Sequence, residues 1–119
     1  NRNQDYTVYI KYTARPNEVS QRGSAAISDA KGLYFINAQG KDADKPTQIW
    51  TQGETESSSA WFPTIDKSNQ KTTQEIYMTV PDKYVTLSNG IMKSSTKVSG
   101  GLRTDHWVMD KKYRGRLLC

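Results

Sequence analysis

The feature that most constrains this chain is alternation with period two, repeated in short runs that turn residues break. In "YTVYIKY" (6–12), Tyr6, Val8, Ile10 and Tyr12 fall on one side, with Thr7, Tyr9 and Lys11 on the other. Successive side chains of an extended strand point to opposite faces, so the pattern predicts a strand with one buried face. "TQEIYMTV" (73–80) repeats it, with Ile76, Met78 and Val80 against Glu75, Tyr77 and Thr79. Pro81 ends that run, because proline has no N–H to give to a ladder. "GLYFIN" (32–37), "TQIWTQ" (47–52) and "LRTDHWVM" (102–109) are further strand candidates, the last entered through the turn pair Gly100-Gly101. "YVTLSNGIMKSS" (84–95) predicts a hairpin, in which Asn89-Gly90 supplies the two positive-φ positions of a tight turn.

The intervening segments read differently. "RPNEVSQRGSAAISDAK" (15–31) is mostly polar and predicts a long loop or irregular edge. "ETESSSAWF" (54–62) lacks alternation and has room for one helical turn. Strands and helical patterns do not alternate as in βαβ units, and there is no internal repeat or heptad. Short strands with frequent turn signals predict an all-β fold, either an antiparallel β-sandwich or a twisted, saddle-like sheet.

The core this pattern could build is thin. The chain has 119 residues, the size of one domain, yet only 34% are apolar. Aromatic residues compensate in part, with seven Tyr, three Trp and two Phe. Such a composition predicts an aromatic-rich, shallow core, or a piece of a larger protein that covers its remaining faces elsewhere.

Charge and cysteine content exclude several functions. The net charge of +5 is modest, and its densest patch is the terminal "KKYRGRLLC" (111–119). The other basic residues are interspersed with acids. We therefore expect residues 111–119 to be a non-native or disordered basic tail, and no nucleic-acid partner. The single cysteine, Cys119, forms no internal disulfide and no metal motif. No apolar run reaches the length of a membrane span, so no membrane partner is expected. Nothing in the sequence fixes a compartment.

Catalytic constellations fail one by one. A single histidine, His106, cannot build the two-His site of an HExxH zinc peptidase. His106 and Asp105 would need a serine in a nucleophile elbow, and no GxSxG occurs. "SGGLRTD" lacks the lysine and helix of a phosphate loop. Asp42 and Asp44 lack the spacing of a calcium loop and its bidentate glutamate. Glu54 and Glu56, two residues apart on a loop, are too generic for a glycosidase pair. The chain is therefore expected to be non-catalytic on its own, with a binding or structural role and no cofactor.

One longer stretch is more specific. Residues 45–90 contain Thr51-Gln52-Gly53-Glu54, then Phe62-Pro63-Thr64-Ile65-Asp66, then Thr79-Val80-Pro81, then Ser88-Asn89-Gly90. This order and spacing resemble the N-terminal domain of the alanyl aminopeptidase (aminopeptidase N) family of zinc metallopeptidases. In that family the motifs run T-Q-x-E, F-P-x-x-D, V-P and S-N-G. The resemblance extends more weakly over residues 4–110, and residues 1–110 would form an incomplete β-sandwich or saddle domain.

The resemblance implies a role for particular residues. Glu54 would help hold the free α-amine of a peptide substrate, Gln52 would line the pocket for the first side chain, and Gly53 would let the backbone come close. An ammonium has three donors, and a carboxylate accepts them as a charge-assisted partner. Asp66 would bond backbone groups and buttress the loop, while Trp50 and Glu56 would be structural. The zinc would belong to the parent's catalytic domain: this chain has no G-x-M-E-N, no HExxH and no catalytic tyrosine to match. The expected partners are a peptide N-terminus, that missing catalytic domain, and further copies of the chain through exposed edges. The parent would remove N-terminal amino acids from peptides. The alternative is a free-standing β-sandwich that binds carbohydrate or protein, which Trp50, Trp61 and Trp107 exposed on one face would support.

Overall fold

The computed structural model describes residues 3–19, 30–54, 56–67 and 69–114, and of 112–114 the backbone only. Its strands are β1 (Leu33–Ile36), β2 (Gln48–Thr51), β3 (Lys71–Pro81), β4 (Ile91–Val98) and β5 (Leu102–Arg114). Two single 3-10 turns, Pro16–Glu18 and Ser58–Ala60, complete the set. Among the described residues there is no α-helix, and the strands form two antiparallel sheets, β1-β2 and β3-β5-β4. The all-β expectation holds.

β1 and β2 form a short ladder from Leu33 opposite Thr51 to Ile36 opposite Gln48. Asn37 closes the loop that joins them. It adopts φ 45, a left-handed conformation that asparagine tolerates. Its Nδ2 donates to the carbonyls of Asp42 (2.8 Å) and Lys45 (2.6 Å), and its Oδ1 accepts from the Asp42 N–H (3.1 Å). The acids of "GKDADKP" thus serve the turn: Asp42 accepts from the Asp44 N–H and pairs with Lys45.

The larger sheet has β5 at its centre. Ile76 lies opposite Trp107, Met78 opposite Asp105, and Val80 opposite Arg103. These residues share one face. The other face carries Glu75, Tyr77 and Thr79 of β3, with His106 and Thr104 of β5. Period two therefore sorts β3 as its sequence predicts, with half-buried Ile76, Met78 and Val80 alternating with exposed neighbours.

The expected hairpin over 84–95 does not form. Residues 85–88 are not in a strand, and β4 pairs with β5 instead, from Ile91 opposite Val108 to Val98 opposite Leu102. The tight turn is at Ser99, Gly100 and Gly101, whose two glycines have φ 79 and 71. The reason lies in side-chain bonding. Arg103 donates to the carbonyls of Asp82 (3.0 Å) and Tyr84 (2.7 Å), and Thr86 donates to Asp105 (2.6 Å). These bonds hold the 82–86 segment over the Trp107 face of the sheet. Gly90 has another purpose: a Cβ there would collide with the Val108 carbonyl.

The alternating segment 6–12 also departs from expectation. It belongs to no strand pair of the described residues. Tyr6 (87% exposed), Tyr9 (87%) and Ile10 (53%) face solvent. Alternation supplies a face, but a strand also needs a neighbouring backbone to bond. β5 continues to Arg114, opposite Lys71, which carries the ladder into the segment expected to be a tail. Residues 115–119, like 20–29 of the expected 15–31 loop, lie outside the described residues.

The core is as thin as the composition implies. Among the described residues Ala30, Trp107 and Pro16 are buried, while Asp105 and Ser57 are almost wholly enclosed. The radius of gyration is 16.1 Å. A compact domain of this length would have about 13.5 Å. The chain is spread out, with much apolar surface facing water.

Candidate functional site

The segment "WTQGETE" (50–56, of which Thr55 lies outside the described residues) follows β2, and the turn after it lies against Gly32, the residue before β1. Its geometry starts at Gly32, which has φ 71, a region that favours glycine. The Gln52 N–H donates to the Gly32 carbonyl (3.0 Å), extending the β1–β2 ladder by one bond. A Cβ on Gly32 would strike the Ser57 carbonyl and sit 2.8 Å from Cδ1 of the Trp61 indole. The strand end and the turn are therefore in direct contact.

Ser57 locks the turn. Only 1% exposed, it donates its hydroxyl to the Gln52 carbonyl (2.6 Å) and, at longer range, to that of Glu54 (3.5 Å). Its N–H donates to the Gly53 carbonyl (3.3 Å). The 3-10 turn Ser58–Ala60 follows, and Trp61 packs at a tilt on Phe62 with ring centroids 4.6 Å apart. Asp66 Oδ2 accepts from the Ser59 N–H (2.7 Å), so the "FPTID" segment ties back onto the turn as the sequence suggests. Glu56 pairs with Lys67 (3.1 Å) on the surface.

The residues with suggested substrate roles occupy three adjacent positions on this frame. Gly53 is buried, Gln52 half-buried and Glu54 exposed. Gln52 Nε2 lies 3.5 Å from Glu54 Oε2 and donates to it. The pair presents an amide and a carboxylate together at the edge of a fixed turn. Chemically it offers acceptors to a cation or an ammonium group.

Two further clusters lie on β5, on opposite faces. On the covered face, Arg103 Nε and Nη2 donate to Asp105 Oδ1 (2.8 Å) and Oδ2 (2.9 Å). Arg103, then Thr86 and Ser95, hold the Asp105 carboxyl far below the usual carboxylate range. The Trp107 indole N–H donates to the Thr86 hydroxyl (3.1 Å), which in turn donates to Asp105 Oδ2 (2.6 Å). On the open face, His106 Nε2 meets Glu75 Oε1 at 2.8 Å, and Tyr77 donates to the same oxygen (3.0 Å). The rings of Tyr77 and His106 stack 4.2 Å apart, only 5° from parallel. The Tyr77 hydroxyl, then His106, lowers the Glu75 carboxyl below its ordinary value.

These placements remove any Ser–His–Asp reading of His106. Asp105 and His106 are neighbours on a strand, so they face opposite sides of the sheet. Neither cluster was apparent from sequence, because each depends on which β3 residue stands opposite which β5 residue. Among the described residues, no group of three or more His, Cys, Asp or Glu side chains gathers as a metal site. The three tryptophans form no common platform. Trp50 stacks on Tyr34 across β1–β2 (4.7 Å), Trp61 packs in the turn, and Trp107 is buried in the other sheet.

The model of the family described as the Peptidase M1 N-terminal domain matches residues 1–113. No curated protein and no solved structure matches the chain.

Proposed function

The chain belongs to the Peptidase M1 N-terminal domain family, and from that premise we propose that its Gln52–Glu54 turn contributes substrate contacts to a zinc aminopeptidase. Glu54 receives the free α-amine of a peptide, and Gln52 borders the first side chain. Hydrolysis belongs to a zinc-bearing catalytic domain outside this sequence, so the chain acts as the part that measures the peptide's end.

The observation that carries this reading is the Gln52–Glu54 contact on a turn fixed by Ser57. The carboxylate is exposed at the edge of that turn, while Gly32 and Ser57 bond the backbone of Gln52 and Asp66 bonds the Ser59 N–H of the turn that follows. Preorganisation matters because an exposed carboxylate on a loose loop gains little from one ammonium in water.

The test is amide NMR of the chain titrated with an amino-acid amide and with its N-acetylated counterpart. Shifts at residues 52–54 are expected with the free amine alone, and Glu54→Gln should remove them. Equal responses to both ligands, or none, would overturn the amine contact. A second measurement addresses the division of labour: with zinc added, the chain alone should leave an aminoacyl chromogenic substrate uncleaved.

A further inference from the structure

The segment 6–12 is the sequence's clearest strand pattern, yet it has no strand partner among the described residues, while β3 is a strand with an open edge. β3 stands at the end of the order β3-β5-β4, so among the described residues the side away from β5 is unpaired. Such an edge is a template for another strand. We propose that residues 5–12 of a second copy of this chain add to the β3 edge, antiparallel, and that the exchange is reciprocal.

The register follows from side-chain chemistry. Placing Lys11 opposite Glu75 sets Ile10 against Ile76, Val8 against Met78 and Tyr6 against Val80 on the Trp107 face. The other face then pairs Tyr9 with Tyr77 and Thr7 with Thr79. Asp5 falls opposite Pro81, where the ladder ends for want of an N–H. Tyr6, Val8 and Ile10 each meet an apolar residue, Tyr12 falls opposite Gln74, and the single cation of the segment meets the single carboxylate of the strand. The parallel alternative keeps the apolar row but sets Thr7 against Glu75 and Lys11 against Thr79. A slip of one residue puts the apolar row on the wrong face.

The other edge of the sheet does not fit. β4 is wholly exposed, but its rows are Met92, Ser95, Lys97 on one face and Ile91, Ser94, Thr96, Val98 on the other. Neither offers a continuous apolar row, and edge lysines such as Lys93 and Lys97 deter pairing. Glu75 is also suited to its part. Both of its contacts, from Tyr77 and His106, use Oε1, which holds the side chain in place and directs it along the open face. A reciprocal exchange is closed under twofold symmetry, so it yields a dimer rather than a fibre.

Light scattering on the full chain is expected to give twice the 13.5 kDa chain mass, falling to the monomer on dilution. Lys11→Glu should weaken dimerisation about tenfold, since each of two reciprocal contacts turns repulsive. Ile10→Pro, which breaks the strand, should abolish it. In a Cys119→Ser background, Val8→Cys with Met78→Cys should give a disulfide-linked dimer on mild oxidation. A monomer at every concentration would overturn the proposal. So would a link formed within one chain, or a dimer indifferent to both Lys11→Glu and Ile10→Pro.

Discussion

Arg103 grips both carboxylate oxygens of Asp105 from two positions along the same strand, through Nε at 2.8 Å and Nη2 at 2.9 Å. The pair lies on the covered face of β5, where Asp105 is 1% exposed. Arg103 also reaches the carbonyls of Asp82 and Tyr84, so one guanidinium joins the central strand to the segment laid across it. A small sheet with little apolar burial is thus held together by a polar network in which Thr86 and Trp107 complete the chain of donors.

This network makes stability depend on acid. The Asp105 carboxyl is held far below its ordinary value, first by Arg103, and Asp82 is lowered by Lys97 and then Arg103. A carboxyl whose folded pKa is depressed contributes stability that is fully present above its unfolded value, about 3.9 for Asp. That stability is lost as pH falls toward the folded value. Urea midpoints should therefore be level from pH 7 to 5 and decline steadily below pH 4. Asp105→Asn should start lower and decline less. A wild-type midpoint unchanged down to pH 2 would contradict the network's role.

Thr86 carries the link between Trp107 and Asp105. Thr86→Val keeps the shape but leaves the indole N–H without its acceptor, and a buried donor so orphaned costs about 1–3 kcal/mol. The urea midpoint should drop accordingly. Tryptophan emission should shift to the red as water reaches the Trp107 ring. Thr86→Ser, which retains the hydroxyl, should recover most of both signals.

Gly32 tests the contact between the strand end and the candidate site. Gly32→Ala introduces a left-handed non-glycine residue and drives a methyl into Ser57 and Trp61. The combined loss is about 2–4 kcal/mol. Gly100→Ala has the same sign of φ but meets no atom within 4 Å, so it should lose only about 1 kcal/mol. Denaturation of the two variants side by side measures the difference. Equal losses would show that the turn is not pressed against Gly32.

Local chemistry made much of the molecule legible in the sequence. Period two placed β3 and sorted its faces, and Pro81 ended it. The short apolar runs marked β1 and β2, and the absence of alternation after Glu54 left room for the 3-10 turn at Ser58–Ala60. Motif order pointed to the family and singled out Gln52, Gly53 and Glu54 as neighbours. These are decided within a few residues, by pleat, ring and hydrogen-bond geometry.

Pairing was decided elsewhere. Asn89-Gly90 carries a strong hairpin signal, yet the ladder turned at Gly100-Gly101, because Arg103, Asp105 and Trp107 secure residues 82–86 through side-chain bonds that sequence spacing does not reveal. Glu75, Tyr77 and His106 came together only once β3 and β5 had settled their register. Residues 6–12 alternate as cleanly as β3 and still pair with no strand among the described residues. A strand's pattern is a property of its residues, but its existence requires a second backbone at hydrogen-bonding distance, and only the tertiary structure supplies or withholds one.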